Sequence, residues 1–96
     1  MTIEVDKRFR QSTSGLHQRS IAGVTVLHRE TWESPLVLNR ELNLVWTCLE
    51  FGGSIEEIAD DIVDVFGGVS ERVPEKVEVA FRTLADLDLI EPVEPG

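Results

Sequence analysis

The sequence predicts an α+β domain in which a three-stranded antiparallel sheet is followed by three helices. Three observations carry this reading. Between Leu16 and Leu38 the apolar residues fall in short extended runs separated by turn signals. From Asn39 onward they recur at helical spacing instead. Gly-Gly pairs and prolines then punctuate the helical part where helices should start or stop. A length of 96 residues fits one domain, with a core small enough that stability should be modest.

The segment 1–15 is charged and Ser/Thr-rich with no sustained period, so it reads as a mobile N-terminal tail. The first strand is Leu16 to Ile21, and Ala22-Gly23 is its turn. Val24 to Glu30 is the second strand, with Val24, Val26 and His28 on one face and Thr25, Leu27 and Arg29 on the other. After a turn at Thr31 to Ser34, Pro35-Leu36-Val37-Leu38 forms a short third strand. Pro35 lacks an N–H and therefore suits the start of an edge strand. Two close turns make the three strands an antiparallel meander.

Asn39 is placed to cap the first helix, which runs to about Phe51 and stops at Gly52-Gly53. Ser54-Ile55-Glu56-Glu57 is a capping box that opens the second helix, which ends at Gly67-Gly68. Its stripe of Ile55, Ile58, Ala59, Ile62, Val63 and Phe66 faces away from most of its acids. Pro74 sits near the start of the third helix, where a missing N–H is tolerated. Val73, Val77, Ala80, Phe81 and Leu84 continue the helical spacing, Leu89-Ile90 closes the core, and Pro92 ends regular structure. The domain thus spans 16–92, with 93–96 as a second tail.

Composition excludes several roles. Eighteen Asp and Glu oppose nine Lys and Arg, a net charge of −9, which works against phosphate neutralisation and hence against nucleic-acid binding. No run approaches the roughly 20 apolar residues of a membrane span, and 1–15 lacks a signal-peptide core; a cytoplasmic protein without a membrane partner is expected. Cys48 is the only cysteine and lies in an apolar helical stretch, so it reads as a small buried hydrophobe. His17 and His28 have no Cys or His at ligand spacing, and the acids from Glu56 to Asp64 lack the loop of a calcium site. No metal, no cofactor and no catalytic constellation are expected, since phosphate-loop and nucleophile-elbow motifs are both missing. Trp46 reads as core, whereas Trp32, among polar residues in a turn, is either a contact residue or folded over the core edge. Lys76 and Arg82 either pair with Glu75, Glu78 or Asp86 or meet an acidic peptide.

Several segments together resemble the PqqD family, named for a pyrroloquinoline quinone biosynthesis protein. They are Val24 to Glu30, Pro35 to Asn39, Leu44-Val45-Trp46, Gly53-Ser54-Ile55-Glu56-Glu57-Ile58-Ala59 and Leu84 to Ile90. The resemblance covers about Leu16 to Ile90, with Asp88 standing where the family usually has Gly. It implies a winged-helix-like domain that acts as a precursor-peptide recognition element in pathways of ribosomally synthesised, modified peptides. Such a domain binds the leader segment as an added antiparallel strand on the third strand, against the third helix. It then delivers the leader to a modifying enzyme such as a radical S-adenosylmethionine enzyme, or a lasso-peptide peptidase and cyclase. On this chain the implied strand is Pro35, Leu36, Val37 and Leu38, and helical positions to one side of the core stripe are Lys76, Val79, Arg82 and Thr83. An edge strand offering free N–H and C=O groups suits such a partner on physical grounds too.

Two alternatives compete with this non-enzymatic binding role. One is a winged-helix DNA-binding regulator, which should carry a basic reader helix. The stretch Glu71 to Glu78 instead mixes acids with two bases. The other is a structural subunit of an enzyme complex.

Overall fold

A computed structural model describes residue 4 and residues 6–66 and 73–93. The expected meander is present: β2 (Leu16–Ile21), β3 (Val24–Arg29) and β4 (Leu36–Val37) pair antiparallel in the order β2-β3-β4. The β2–β3 turn is Ala22-Gly23, both at positive φ, as a two-residue turn matching the strand twist requires. Three helices follow: α1 (Arg40–Cys48), α2 (Ile55–Phe66) and α3 (Val73–Asp86). The architecture is therefore α+β, as the pattern of apolar residues predicts.

A second sheet corrects the reading of 1–15 as a tail. Arg8–Gln11 is a strand, β1, at the centre of an antiparallel sheet between β5 (Gly53–Ser54) and β6 (Ile90–Pro92). Its anchor is Phe9, which is 2% exposed and meets Phe81 of α3 edge-on with ring centroids 5.7 Å apart. An edge-to-face pair adds to the apolar area that each ring buries. Regular structure among the described residues does end at Pro92, the last residue of β6. This proline lies on the edge strand of the sheet, where a missing N–H is tolerated, and Val93 N–H donates to the Arg8 carbonyl. The Gly67-Gly68 helix stop and 94–96 lie outside the described residues, as do 1–3 and residue 5.

The helix starts follow the sequence closely. Asn39 Oδ1 accepts from Leu42 N–H at 2.8 Å. The capping box is made in both directions: Ser54 Oγ accepts from Glu57 N–H at 3.1 Å, and Glu57 Oε1 accepts from Ser54 N–H at 3.3 Å. Glu57 also takes Arg8 Nη1 at 2.9 Å, so one carboxylate ties β1 to the start of α2. The last turn of α1 tightens to 3-10 geometry over Leu49–Phe51 and stops at Gly52, φ +82. A Cβ at Gly52 would sit 3.2 Å from the Phe9 carbonyl, so both its φ and the approach of β1 demand glycine.

The end of α3 uses a Schellman arrangement. Leu89 N–H donates to Leu84 O and Asp88 N–H to Ala85 O, with Asp88 in the left-handed region at φ +57. Arg29 reaches across to donate to the carbonyls of both Asp88 and Ser12 at 2.8 Å. The meander is thereby stapled to β1 and to the end of α3. Trp46, 1% exposed, adds a second staple: its Nε1–H donates to Gln18 Oε1 and its carbonyl accepts from Gln11 Nε2.

Two stability outcomes are expected. Phe9→Ala removes a ring from the centre of the second sheet and should cost about 3–5 kcal/mol, read as the shift in urea unfolding. A cost under about 1 kcal/mol, the scale of a surface change, would show that β1 is not part of the cooperative core. Asp88→Gly should stabilise by about 0.5–1 kcal/mol, because glycine enters the left-handed region without a Cβ clash. The backbone carbonyl that Arg29 uses is kept.

Candidate functional site

The meander has two edges, β2 and β4, each paired with β3 alone, and β4 is the edge that the resemblance nominates. It pairs on one side with β3 alone, Val26 opposite Val37 and Leu27 opposite Leu36. Leu38 N–H donates to the Thr25 carbonyl at 3.0 Å, so the backbone at Leu38 points toward β3. Successive residues of a strand aim their N–H and C=O in opposite directions within the sheet plane. The backbone of Leu36 therefore also points to β3, and that of Val37 points away, to the free edge. Pro35 has no N–H to offer at all. Of the four strand residues that the resemblance nominates, Val37 alone presents a donor and an acceptor to an incoming chain.

The side chains alternate in the other dimension. Leu38 is buried in the core and Leu36 packs against it, whereas Val37 is 59% exposed on the opposite face. Below this edge lies an open cleft lined by Trp32, Glu33, Ser34, Pro35, Leu36 and Leu87. Trp32 and Leu87 are both partly buried against the core. The turn before β4 and the residue just past α3 thus face one another across an apolar floor. Of the two readings that its polar neighbours left open, Trp32 takes the one that folds it over the core edge, and from there it lines the cleft.

The nominated α3 residues divide. At about 100° per residue, Lys76, Thr83 and Leu87 fall within a narrow arc, with Val79 beside it and Arg82 well round the helix. Val79 is 62% exposed, and Thr83 turns its hydroxyl inward to donate to the Val79 carbonyl at 3.0 Å. Arg82 pairs with Glu78 one turn back at 3.3 Å. Lys76 comes within 3.9 Å of Glu41 at the start of α1 and borders a different space, an apolar cavity of about 90 Å³ among Leu44, Val45, Ile62, Val73 and Val77. These four residues therefore do not converge on one point. Leu87 is the α3-side residue that meets β4, and its place one turn beyond Thr83 is the signal that would have found it.

Glu41 with Lys76 at one end and Leu36 with Leu87 at the other show how the elements run. From β4 into α1 the chain travels antiparallel to α3. A strand added antiparallel to β4 would accordingly run parallel to α3, its C-terminal end over the Trp32–Leu87 cleft.

The Cys48 thiol packs against the core. Burial, and secondarily the Asp61 carboxylate, push its pKa up from the ordinary value, which keeps it protonated and a poor nucleophile. Among the described residues no three His, Cys, Asp or Glu gather as metal ligands, and no helix is long and apolar enough to cross a membrane.

No family model matches the chain, and no curated protein matches it. A solved structure does: TbiB1 in complex with the TbiA(beta) leader peptide has a TM-score of 0.71 at 23% identity, covering 90% of this chain and 99% of that one. The two proteins share a fold over nearly their whole lengths.

Proposed function

We propose that this chain binds the leader segment of a ribosomally made precursor peptide by strand addition to β4 and presents it to a modifying enzyme, performing no chemistry itself. The observation that carries the reading is the free backbone pair of Val37, aimed at an uncovered sheet edge beside the Trp32–Leu87 cleft. An extended peptide uses such an edge for main-chain hydrogen bonds and such a cleft for side-chain selectivity. The shared fold with TbiB1, which was solved with a leader peptide bound, supports the same partner class. The PqqD-like, winged-helix-like character and the kind of enzyme served, whether a radical S-adenosylmethionine enzyme or a lasso-peptide peptidase and cyclase, belong to this proposal. No cofactor and no catalytic residue are part of it.

The DNA-regulator reading is weaker on charge. Lys76 and Arg82, the two bases of α3, both have acidic neighbours within 4.0 Å, and the net charge is −9. Little positive charge is left on this helix for phosphates.

Titration calorimetry tests the proposal, with the TbiA(beta) leader and the short precursor peptides encoded near this chain's gene as probes. Val37→Pro removes the outward N–H and should weaken binding at least about tenfold with an unchanged circular dichroism spectrum. Leu38→Pro should instead lower the unfolding midpoint, because its N–H already serves Thr25. Lys76→Ala and Arg82→Ala, both largely exposed, should each change binding by about 1 kcal/mol or less. Undiminished affinity in a well-folded Val37→Pro variant would place the peptide elsewhere.

A further inference from the structure

Charge is segregated along this chain. Lys7 through Arg29 contains five of the nine Lys and Arg and none of the eighteen Asp and Glu. Three of the five are engaged: Arg8 with Glu57, Arg10 with Glu91, and Arg29 with the carbonyls of Ser12 and Asp88. Arg19 in β2 has no ion-pair partner among the described residues.

Pleating then sorts the meander into two faces. Leu16, Gln18, Thr25, Leu27 and Leu36 turn toward α1 and the core: Gln18 holds Trp46, Thr25 donates to Asn43 Oδ1, and Leu27 is fully buried. The opposite face carries Ile21, Val24, Val26 and Val37, together with Arg19 and the directly opposed pair His17 and His28. Ile21 is 58% exposed, Val24 40% and Val37 59%. The face is contiguous across three strands, aliphatic at its centre and free of acid. A solvated sheet face ordinarily alternates to polar residues, whereas here four aliphatic residues stand beside three polar ones.

We propose that the outer face of β2-β3-β4 docks a second protein whose contact surface has an apolar centre and an acidic rim. An acidic rim is repelled by the chain's overall charge of −9 and finds unpaired positive charge at Arg19, so electrostatics selects this face and orients the partner on it. Duplex DNA fits poorly, because one Arg and two His neutralise few phosphates and the aliphatic side chains have no role there. Two strands of six residues and one of two, about 4.8 Å apart, present a few hundred Å², below the roughly 800 Å² per side of a standard stable interface. The contact is accordingly transient, with an affinity in the micromolar range. It goes beyond leader binding: it uses outward side chains, whereas an added strand uses the edge amides of β4, so the protein can hold both partners together.

The test is surface plasmon resonance on the leader-free protein, with each protein encoded beside this chain's gene, purified singly, as probe. One of them should bind, and the double variant R19E/I21D should bind it at least about tenfold more weakly. V65D, on an exposed position of α2, should leave the affinity unchanged. R19E alone, which spares the hairpin's aliphatic residues, should weaken it in the same direction, and circular dichroism checks every fold. Binding by none of the probes, or equal binding by wild type and R19E/I21D, overturns the proposal. So does a wild-type dimer in sedimentation equilibrium that R19E/I21D abolishes, or retardation of a duplex that depends on Arg19. Leader titrations on the same variants separate the two ideas: lost docking with intact leader affinity is the signature of this face, and absent leader binding with intact docking counts against the leader reading alone.

Discussion

The contact on which the rest of the structure depends is Phe9 against Phe81. A chain of 96 residues with a single cysteine has no disulfide staple, and small domains are marginal without a well-covered core. The helices bury one side of Phe81, and β1 closes the other by laying Phe9 over it. Once β1 is in place its backbone pairs with β5 and β6, which precede α2 and follow α3. The ends of two helices are thereby fixed by a strand that precedes them by more than forty residues. Arg8 on Glu57 and Arg29 on Asp88 and Ser12 reinforce the same junctions from the polar side.

That scaffold leaves β4 as the place where order stops short. β4 is held on one side by β3 and continues at once into α1 through the Asn39 cap. The chain cannot shift along β3 without moving Leu38 out of the core, and such a one-residue slip would turn every side chain to the wrong face. The outward direction of Val37 is a consequence of core packing two ångström-scale steps away, not of any choice made at the edge itself. Leu87 reaches the same region because the Schellman turn at Asp88 ends α3 directly opposite it.

Much of this was legible in the sequence. The meander, the Asn39 cap, the capping box at Ser54 and Glu57 and the core stripe of α3 all rest on local patterns, which short-range physics decides. What escaped was non-local. Arg8–Gln11 has one apolar residue in four, too few for any period, and β5 is two residues long. Their strand character comes from pairing partners far away in the chain. The site followed the same division. The edge strand was readable from Pro35 and the apolar run after it, but the outward residue depended on register with β3. On the α3 side the sequence singles out Lys76 and Arg82, the two bases of the helix. Their charges are met by Glu41 and Glu78, while Leu87, an ordinary leucine, lines the cleft.

The brevity of β4 has a consequence for the free protein. A long bare edge is a template on which identical chains add to one another, and natural sheets guard against this with short or interrupted edges. Here Pro35 removes one donor and Leu36 and Leu38 turn theirs inward, so two copies meeting along β4 would find a single outward donor on each, the N–H of Val37, to share. A single reciprocal pair of such bonds is worth about 1–3 kcal/mol in water, too little to hold two molecules of like charge together. The strand is too short to be read by a second copy of itself.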